Sequence, residues 1–197
     1  MLSTELQGRG ISWPIQSVLG ALLLGGLGPI VIEMEGAIPM EGAIPMEDAI
    51  PLSLQSLLVC WLPLMLGWKA GLTAMLIYLT AGILGLPVFA GHHSGIEVIS
   101  GPTGGYLLGF PIVAALLGWA SDGLVNHPAR SQYLAIAAGM ILGHVLILAF
   151  GIPWQVRFDP SLDVTALVER LLRPIALKSA IGLLLGVVLM RSVQRRA

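Results

Sequence analysis

Six long blocks of apolar residues run through the chain, separated by short segments that contain proline, glycine or charged residues. Each block has about the length that an α-helix needs to cross roughly 30 Å of hydrocarbon. Their continuous, glycine-rich character favours helices, because the strands of a membrane barrel alternate polar and apolar residues. The pattern therefore predicts an all-α membrane protein, a single domain over residues 1–197, with six transmembrane helices at roughly 13–32, 51–68, 70–89, 103–120, 131–151 and 174–190.

Composition narrows the class further. Of the 197 residues, 56% are hydrophobic and 11% are charged, whereas a soluble domain has about 25% charged residues. The single cysteine, Cys60, excludes an internal disulfide framework and a cysteine metal cluster. A net charge of −1 gives no indication of nucleic-acid binding.

The distribution of Lys and Arg predicts the orientation in the membrane, because these residues are in excess in cytoplasmic segments. With both termini in the cytoplasm, the outside holds only Arg157, Arg170 and Arg173, besides Lys178 within the last span. The inside then holds the larger set, Arg9, Lys69, Arg130, Arg191, Arg195 and Arg196. We therefore predict a multi-pass membrane protein with both termini in the cytoplasm.

The first external loop, residues 33–50, contains an acidic hexapeptide repeat whose three copies start at Met34, Met40 and Met46. The third copy has Asp48 in place of glycine and ends at Pro51. A proline in every sixth position prevents a regular helix, because proline lacks an N–H group and disfavours helical geometry in the residue before it. We interpret the repeat as an extended spacer. The alternative is a lid over a binding site.

Polar residues inside the spans are costly in a membrane and are therefore candidates for function. With the predicted topology, five of them fall in the outer half of the bundle: Gln55, Thr103, Tyr106, His144 and Lys178. Each has a simpler explanation, since lysine can extend to the headgroups, tyrosine can belong to an interfacial belt, and Gln55 or His144 can bond a neighbouring helix. Their shared depth favours a polar pocket that is open to the exterior.

Predicted helix starts support the same pocket. Pro51, Thr103 and Pro174 mark the outer N-termini of three helices, where partial positive charges and free N–H groups favour an anion. Gly104 and Gly105 would let a ligand approach the backbone closely. The alternative for these glycines is helix packing, since Gly105 and Gly109 have the spacing of small residues at a helix interface.

Sequence motifs of other chemistries are absent or weak. The chain contains no GxxxxGK[ST] phosphate-binding loop, so we do not expect it to hydrolyse ATP. It contains no HExxH or GxSxG motif, so we predict that it is not an enzyme. The adjacent His92 and His93 are weak evidence for a metal, and neither a metal site nor a cofactor is predicted.

Three segments between about residues 49 and 122 carry a family resemblance. They are Pro51-Leu-Ser-Leu-Gln55, Leu86-Pro-Val-Phe-Ala-Gly91 and Gly101-Pro-Thr-Gly-Gly-Tyr-Leu-Leu-Gly-Phe110. Their order and spacing closely resemble the BioY family, the biotin-binding S-components of energy-coupling-factor (ECF) transporters. The chain departs from the family pattern at His92-His93-Ser94, where an arginine is usual, and at Ile175, where many members have an acidic residue.

The resemblance implies a six-helix S-component bundle in the prokaryotic plasma membrane. Such a subunit captures biotin from outside and works with a membrane coupling subunit and two ATPase subunits. Ala21 and Gly25 resemble the small-residue motif with which such subunits dock. The resemblance and the polar residues above together predict the residues that bind the ligand: Gln55, Phe89, Gly91, Thr103, Gly104, Gly105, Tyr106, His144 and Lys178. The alternatives are an S-component for another small vitamin and an intramembrane enzyme.

Overall fold

A computed structural model describes residues 6–8, 10–33 and 51–194 of the chain. The hexapeptide repeat, apart from its last residue Pro51, lies outside these residues, as do Arg9, Arg195 and Arg196. The described part is helical apart from a short two-stranded ribbon. Its elements are α1 Trp13–Leu27, β1 Val31–Glu33, β2 Pro51–Ser53, α2 Leu54–Ile83, a 3-10 turn Ala90–His92, α3 Ile96–Ser100, α4 Gly104–Asp122, α5 Ala129–Val156 and α6 Val164–Gln194.

Four of these helices are long and apolar enough to cross a membrane: α2, α4, α5 and, over Val164–Ser192, α6. α1 is apolar but shorter. Large apolar side chains face outward, such as Trp119, Leu22 and Leu184, which are 73%, 67% and 63% exposed. Some polar side chains, by contrast, are buried. The prediction of an all-helical membrane protein is confirmed.

α2 is two helical segments that meet at Gly67, whose φ of 78° and ψ of 177° are not helical. A Cβ built on Gly71 would lie 2.7 Å from the Cα of Pro63, although eight residues of a straight helix span about 12 Å. The chain therefore reverses at Gly67. Asp122, at the end of α4, closes the turn by accepting a hydrogen bond from the Trp68 N–H at 3.1 Å.

The start of α2 lies at the opposite end of the bundle from this turn. We call the two ends the Gln55 end and the Gly67 end. α1 runs towards the Gln55 end, because Gly20 packs against Leu66 and Ala74, while Gly28 lies against Gln55. α6 runs the other way: Lys178 contacts Ser56, and Gly186 packs against Met65. The start of α1 and the end of α6 are therefore at the same end, the Gly67 end.

Two predicted helix starts are wrong. Pro51 lies in β2, and α2 begins after Ser53, whose hydroxyl accepts a hydrogen bond from the Gln55 N–H. α6 begins at Val164, ten residues before Pro174, because the carboxylate of Asp163 accepts the Ala166 N–H at 3.0 Å and caps the helix. Pro174 is inside α6. Lys178 is therefore in the body of α6, and no N-terminus of that helix points at it.

The bundle is closed by glycines that let helices approach each other. On α4, Gly105 packs against Trp154 and Gly109 against Phe150, both on α5. On α6, Gly182 packs against Met140, also on α5. α5 is thus held between two antiparallel neighbours. The predicted alternative of a small-residue packing interface for Gly105 and Gly109 is confirmed.

Candidate functional site

Gln55 fixes the connection between α2 and α4 to the bundle. Its side chain is 5% exposed, and its Oε1 accepts a hydrogen bond from the Ala90 N–H at 3.0 Å. One residue further on, the N–H of Gly91 donates to the Pro29 carbonyl at 3.0 Å. Gly91 takes a φ of 70°, in the left-handed region that glycine adopts without strain. Gln55 and Gly91 therefore meet at one place on the Gln55 end.

Phe89 is a buried anchor of the same connection. It is 1% exposed and packs edge-on against Tyr78, with the ring centres 5.7 Å apart. Gly82 leaves room for its ring, since a Cβ there would overlap it. The Tyr78 hydroxyl donates to the Val88 carbonyl at 3.0 Å. Phe89, which the sequence analysis assigned to the ligand, therefore packs against the second segment of α2.

The beginning of α4 is packed rather than open. Thr103 is the exposed N-cap residue, as predicted, but its side chain makes no capping hydrogen bond. A Cβ on Gly104 would overlap the Ile99 carbonyl oxygen, and one on Gly105 would overlap the Cβ of Trp154. Both glycines are buried. They meet the chain's own backbone and side chains at the positions where a ligand was expected.

Hydrogen bonds tie the same region to α5. The Tyr106 hydroxyl donates to Gln155 Oε1 at 2.8 Å. The indole N–H of Trp154 donates to the Gly101 carbonyl at 2.9 Å. The Tyr106 ring packs directly on Gly151, where a Cβ would overlap it. Tyr106 thus binds α5 and is not a free member of an interfacial belt.

Lys178 is buried between helices. It is 7% exposed, and its ammonium donates to the Ser56 hydroxyl of α2 at 2.9 Å. The side chain does not extend to the headgroups, which was the simpler explanation for a lysine at this depth. No carboxylate of the described residues pairs with it, in agreement with Ile175 in the place of an acidic residue. A buried cation without a carboxylate favours an anionic ligand.

His144, on α5, is near enough to this lysine for the two side chains to interact electrostatically. It is 3% exposed, with its Nδ1 2.7 Å from the Met140 carbonyl and 3.9 Å from the Cys60 sulfur. Its Nε2 is buried and makes no hydrogen bond to the described residues. We call Ser56, Cys60, His144 and Lys178 the three-helix cluster, because they come from α2, α5 and α6.

The structure brings together only part of the predicted set. His144 and Lys178 join in the three-helix cluster. Gln55, Phe89 and Gly91 form a second group in the connection. Of the remaining four, Gly105 and Tyr106 contact α5, Gly104 packs against Ile99 of α3, and Thr103 is exposed at the start of α4. Sequence reasoning missed Ser56 and Cys60. Their spacing of four residues, which places both on one face of an otherwise apolar helix, was the available signal.

The predicted docking residues also face the bundle. Ala21 is 8% exposed, and Gly25 packs against Val88. Both small residues therefore let α1 approach its neighbours. Exposed side chains, such as that of Leu22, form the outer face of α1.

No group of three potential metal ligands occurs among residues 6–8, 10–33 and 51–194. The cluster offers one ammonium, one hydroxyl, one thiol and one imidazole at the meeting point of apolar helices. These groups suit the binding of a small molecule that carries an anionic group and polar hydrogen-bonding atoms. The architecture is that of a helical membrane protein with a small polar site in its interior.

Comparison with known proteins identifies the family. The sequence pattern of the BioY family matches residues 15–197. The chain belongs to the BioY family, as the sequence motifs predicted.

Named relatives and a solved structure agree with this assignment. The chain is 34% identical over 145 residues to the biotin transporter BioY2 of Lactococcus lactis subsp. cremoris, covering 74% of this chain and 69% of the relative. It is 40% identical over 87 residues to the biotin transporter BioY of Thermotoga maritima, covering 44% and 48%. The fold resembles the S-component for biotin from an ECF-type ABC transporter, with a TM-score of 0.72, 93% coverage of both chains and 19% identity. At that identity the structure supports the fold alone.

Proposed function

We propose that this chain is the substrate-binding subunit of a biotin uptake transporter and captures biotin from outside the cell. Membership of the BioY family supports the transport class. The choice of an acidic ligand rests on one observation: the Lys178 ammonium is buried beside Ser56 and has no carboxylate partner among the residues that the structure describes. The valerate carboxylate of biotin would neutralise that cation.

The proposed topology has six spans, counting each segment of α2 as one, with the Gly67 end in the cytoplasm. The reversal at Gly67 and the shared end of the two termini support this arrangement. Lys69, Arg130 and Arg191 lie at the Gly67 end, as expected for the cytoplasmic side. The hexapeptide repeat would then connect β1 and β2 on the outer side as a spacer.

A cysteine-labelling experiment tests this orientation. Residue 127 is exposed in the turn between α4 and α5 at the Gly67 end. The native Cys60 is buried, so we expect the reagent not to reach it. A His127→Cys variant should react with a membrane-impermeant reagent only after the cells are opened. Labelling in intact cells would reverse the proposed topology.

Energy for uptake would come from partner proteins, namely a membrane coupling subunit and two ATPase subunits in the plasma membrane. The similar solved S-component comes from an ECF-type transporter, and this chain contains no phosphate-binding loop. Ala21 and Gly25 remain the proposed docking segment by resemblance. Their inward packing favours an indirect role, in which they set the position of α1 against the bundle.

Binding of labelled biotin to the purified chain, without nucleotide, tests the function. We expect saturable binding that unlabelled biotin displaces and other small vitamins do not. Biotinamide, which lacks the carboxylate charge, should displace biotin poorly. Displacement by another vitamin at lower concentration than biotin would replace the proposal with an S-component of that specificity. Absence of saturable biotin binding would refute it.

A further inference from the structure

One ring nitrogen of His144 has a hydrogen-bond partner among the described residues, and the other has none. Nδ1 lies 2.7 Å from the Met140 carbonyl oxygen, which can only accept a hydrogen bond. Nδ1 must therefore carry the proton. In the neutral ring, a proton on Nδ1 leaves Nε2 with a lone pair that accepts a hydrogen bond.

The position of this acceptor is fixed by packing. The preceding residue, Gly143, is so close to α2 and α4 that a Cβ there would lie 2.6 Å from the Cys60 sulfur and 2.8 Å from Leu117. The bond to Met140 sets the orientation of the ring on α5. The Nε2 atom is thus held in place before any ligand binds, which lowers the entropic cost of using it for recognition.

An unpaired buried acceptor is unfavourable in the ligand-free protein, because it has lost its water without gaining a donor. Nε2 of His144 is a buried acceptor that has no donor among the described residues, and only 3% of the residue is exposed. It belongs to the same three-helix cluster as Lys178. Lysine supplies donors only, so the two side chains offer complementary chemistry, one for an anion and one for a donor group.

We infer that His144 determines specificity by accepting a hydrogen bond from an N–H group of the bound ligand through Nε2. The inference rests on the proposed function, under which the donor is one of the two ureido N–H groups of biotin. A ligand with an oxygen or a carbon at that position would leave Nε2 unpaired and would bind more weakly. His144 would thereby select a cyclic urea over a cyclic carbamate of the same shape.

The test compares biotin with its two cyclic carbamate analogues, in each of which one ureido N–H is replaced by an ether oxygen. Their dissociation constants are measured on the purified chain and on His144→Leu, which lacks the acceptor. The wild type should bind one analogue about tenfold more weakly than biotin, because a buried hydrogen bond is lost and two lone pairs meet. His144→Leu should bind biotin about tenfold more weakly and should not distinguish that analogue from biotin.

Two further variants sharpen the result. His144→Gln keeps a side-chain carbonyl that can accept, so it should recover part of the affinity and of the discrimination. His127→Leu changes an exposed histidine at the Gly67 end and should match the wild type with all three ligands. Equal discrimination by wild type and His144→Leu would overturn the inference while biotin binding itself stood. Failure of the wild type to bind biotin would refute the proposed function instead.

If His144→Leu does not fold, the wild type supplies the same information. In protein with ¹⁵N-labelled histidine, the His144 ring should show a protonated Nδ1 before biotin is added. Biotin should then shift the Nε2 resonance in the direction of hydrogen-bond acceptance, with little change at Nδ1. An unchanged Nε2 resonance in the saturated complex would overturn the inference.

Discussion

The three-helix cluster and the start of α4 are built in opposite ways, although both pack against α5. At the start of α4, backbone and side chains of the chain itself occupy the space beside Gly104 and Gly105, and the Tyr106 hydroxyl is bound by Gln155. In the cluster, the Lys178 ammonium donates a hydrogen bond to one hydroxyl, that of Ser56. His144 Nε2 has no hydrogen-bond partner among the described residues.

This difference separates residues that hold the helices together from residues that can bind something else. A polar group whose hydrogen bonds are satisfied within the protein contributes to stability, whereas a buried group with unused capacity gains from a ligand. Substitutions in the two regions should therefore change different measured quantities. Changes at the start of α4 should affect the ligand-free protein, and changes in the cluster should affect affinity.

The largest effect is expected for Gly104→Ala. The new Cβ would overlap the Ile99 carbonyl oxygen, and backbone cannot move aside as a flexible side chain can. Overpacking of this kind costs about 1–3 kcal/mol, so the apparent Tm of the ligand-free protein should fall clearly. Gly26→Ala, on the open side of α1, is the control and should not lower Tm, because nothing lies within 4 Å of the new Cβ and alanine favours a helix over glycine. If Gly104→Ala abolished biotin binding without changing Tm, Gly104 would be a residue of the ligand site.

Lys178→Ala should weaken biotin binding about ten- to a hundredfold, because a charge-assisted hydrogen bond contributes about 1.5–3 kcal/mol. The comparison with biotinamide identifies the partner of the lysine. Replacing the carboxylate by an amide should cost the variant much less affinity than it costs the wild type. Equal losses in both proteins would show that Lys178 does not bind the carboxylate.

A smaller effect is expected for Ser56→Ala, which removes the hydroxyl that holds the Lys178 ammonium at 2.9 Å. Loss of one hydrogen bond of about 0.5–1.5 kcal/mol predicts roughly a two- to tenfold decrease in biotin affinity. Ser56→Thr keeps the hydroxyl and should stay near the wild type. In a protein that already carries Lys178→Ala, the Ser56 hydroxyl has no ammonium to hold, so adding Ser56→Ala should lower biotin affinity little further. Full additivity in this double-mutant cycle would argue against positioning of Lys178 by Ser56.

The smallest effect on affinity is expected for Tyr106→Phe. The variant loses the hydrogen bond to Gln155 but keeps the ring that packs on Gly151. Biotin affinity should remain within about threefold, and stability should fall by about 0.5–1.5 kcal/mol. A large loss of affinity at unchanged stability would place Tyr106 in the binding site and remove the contrast between the two regions.

The sequence alone determined the class of the protein and the positions of its apolar segments. Long apolar blocks report a preference for lipid that is a property of each segment, so they do not depend on the final fold. The motifs around Leu86–Gly91 and Gly101–Phe110 were sufficient to predict the BioY family. The polar residues predicted for the outer half included His144 and Lys178, which the structure places in the same three-helix cluster.

Tertiary structure decided which of those residues meet and what each of them contacts. Ser56 and Lys178 are 122 residues apart in the chain, and only the packing of α2 against α6 makes them partners. Likewise, the glycines of α4 look the same in the sequence whether a ligand or another part of the chain fills the space beside them. Hydropathy depends on the residue itself, whereas a hydrogen bond or a close contact depends on the distance and direction between two residues. That relation is fixed only when the helices have packed.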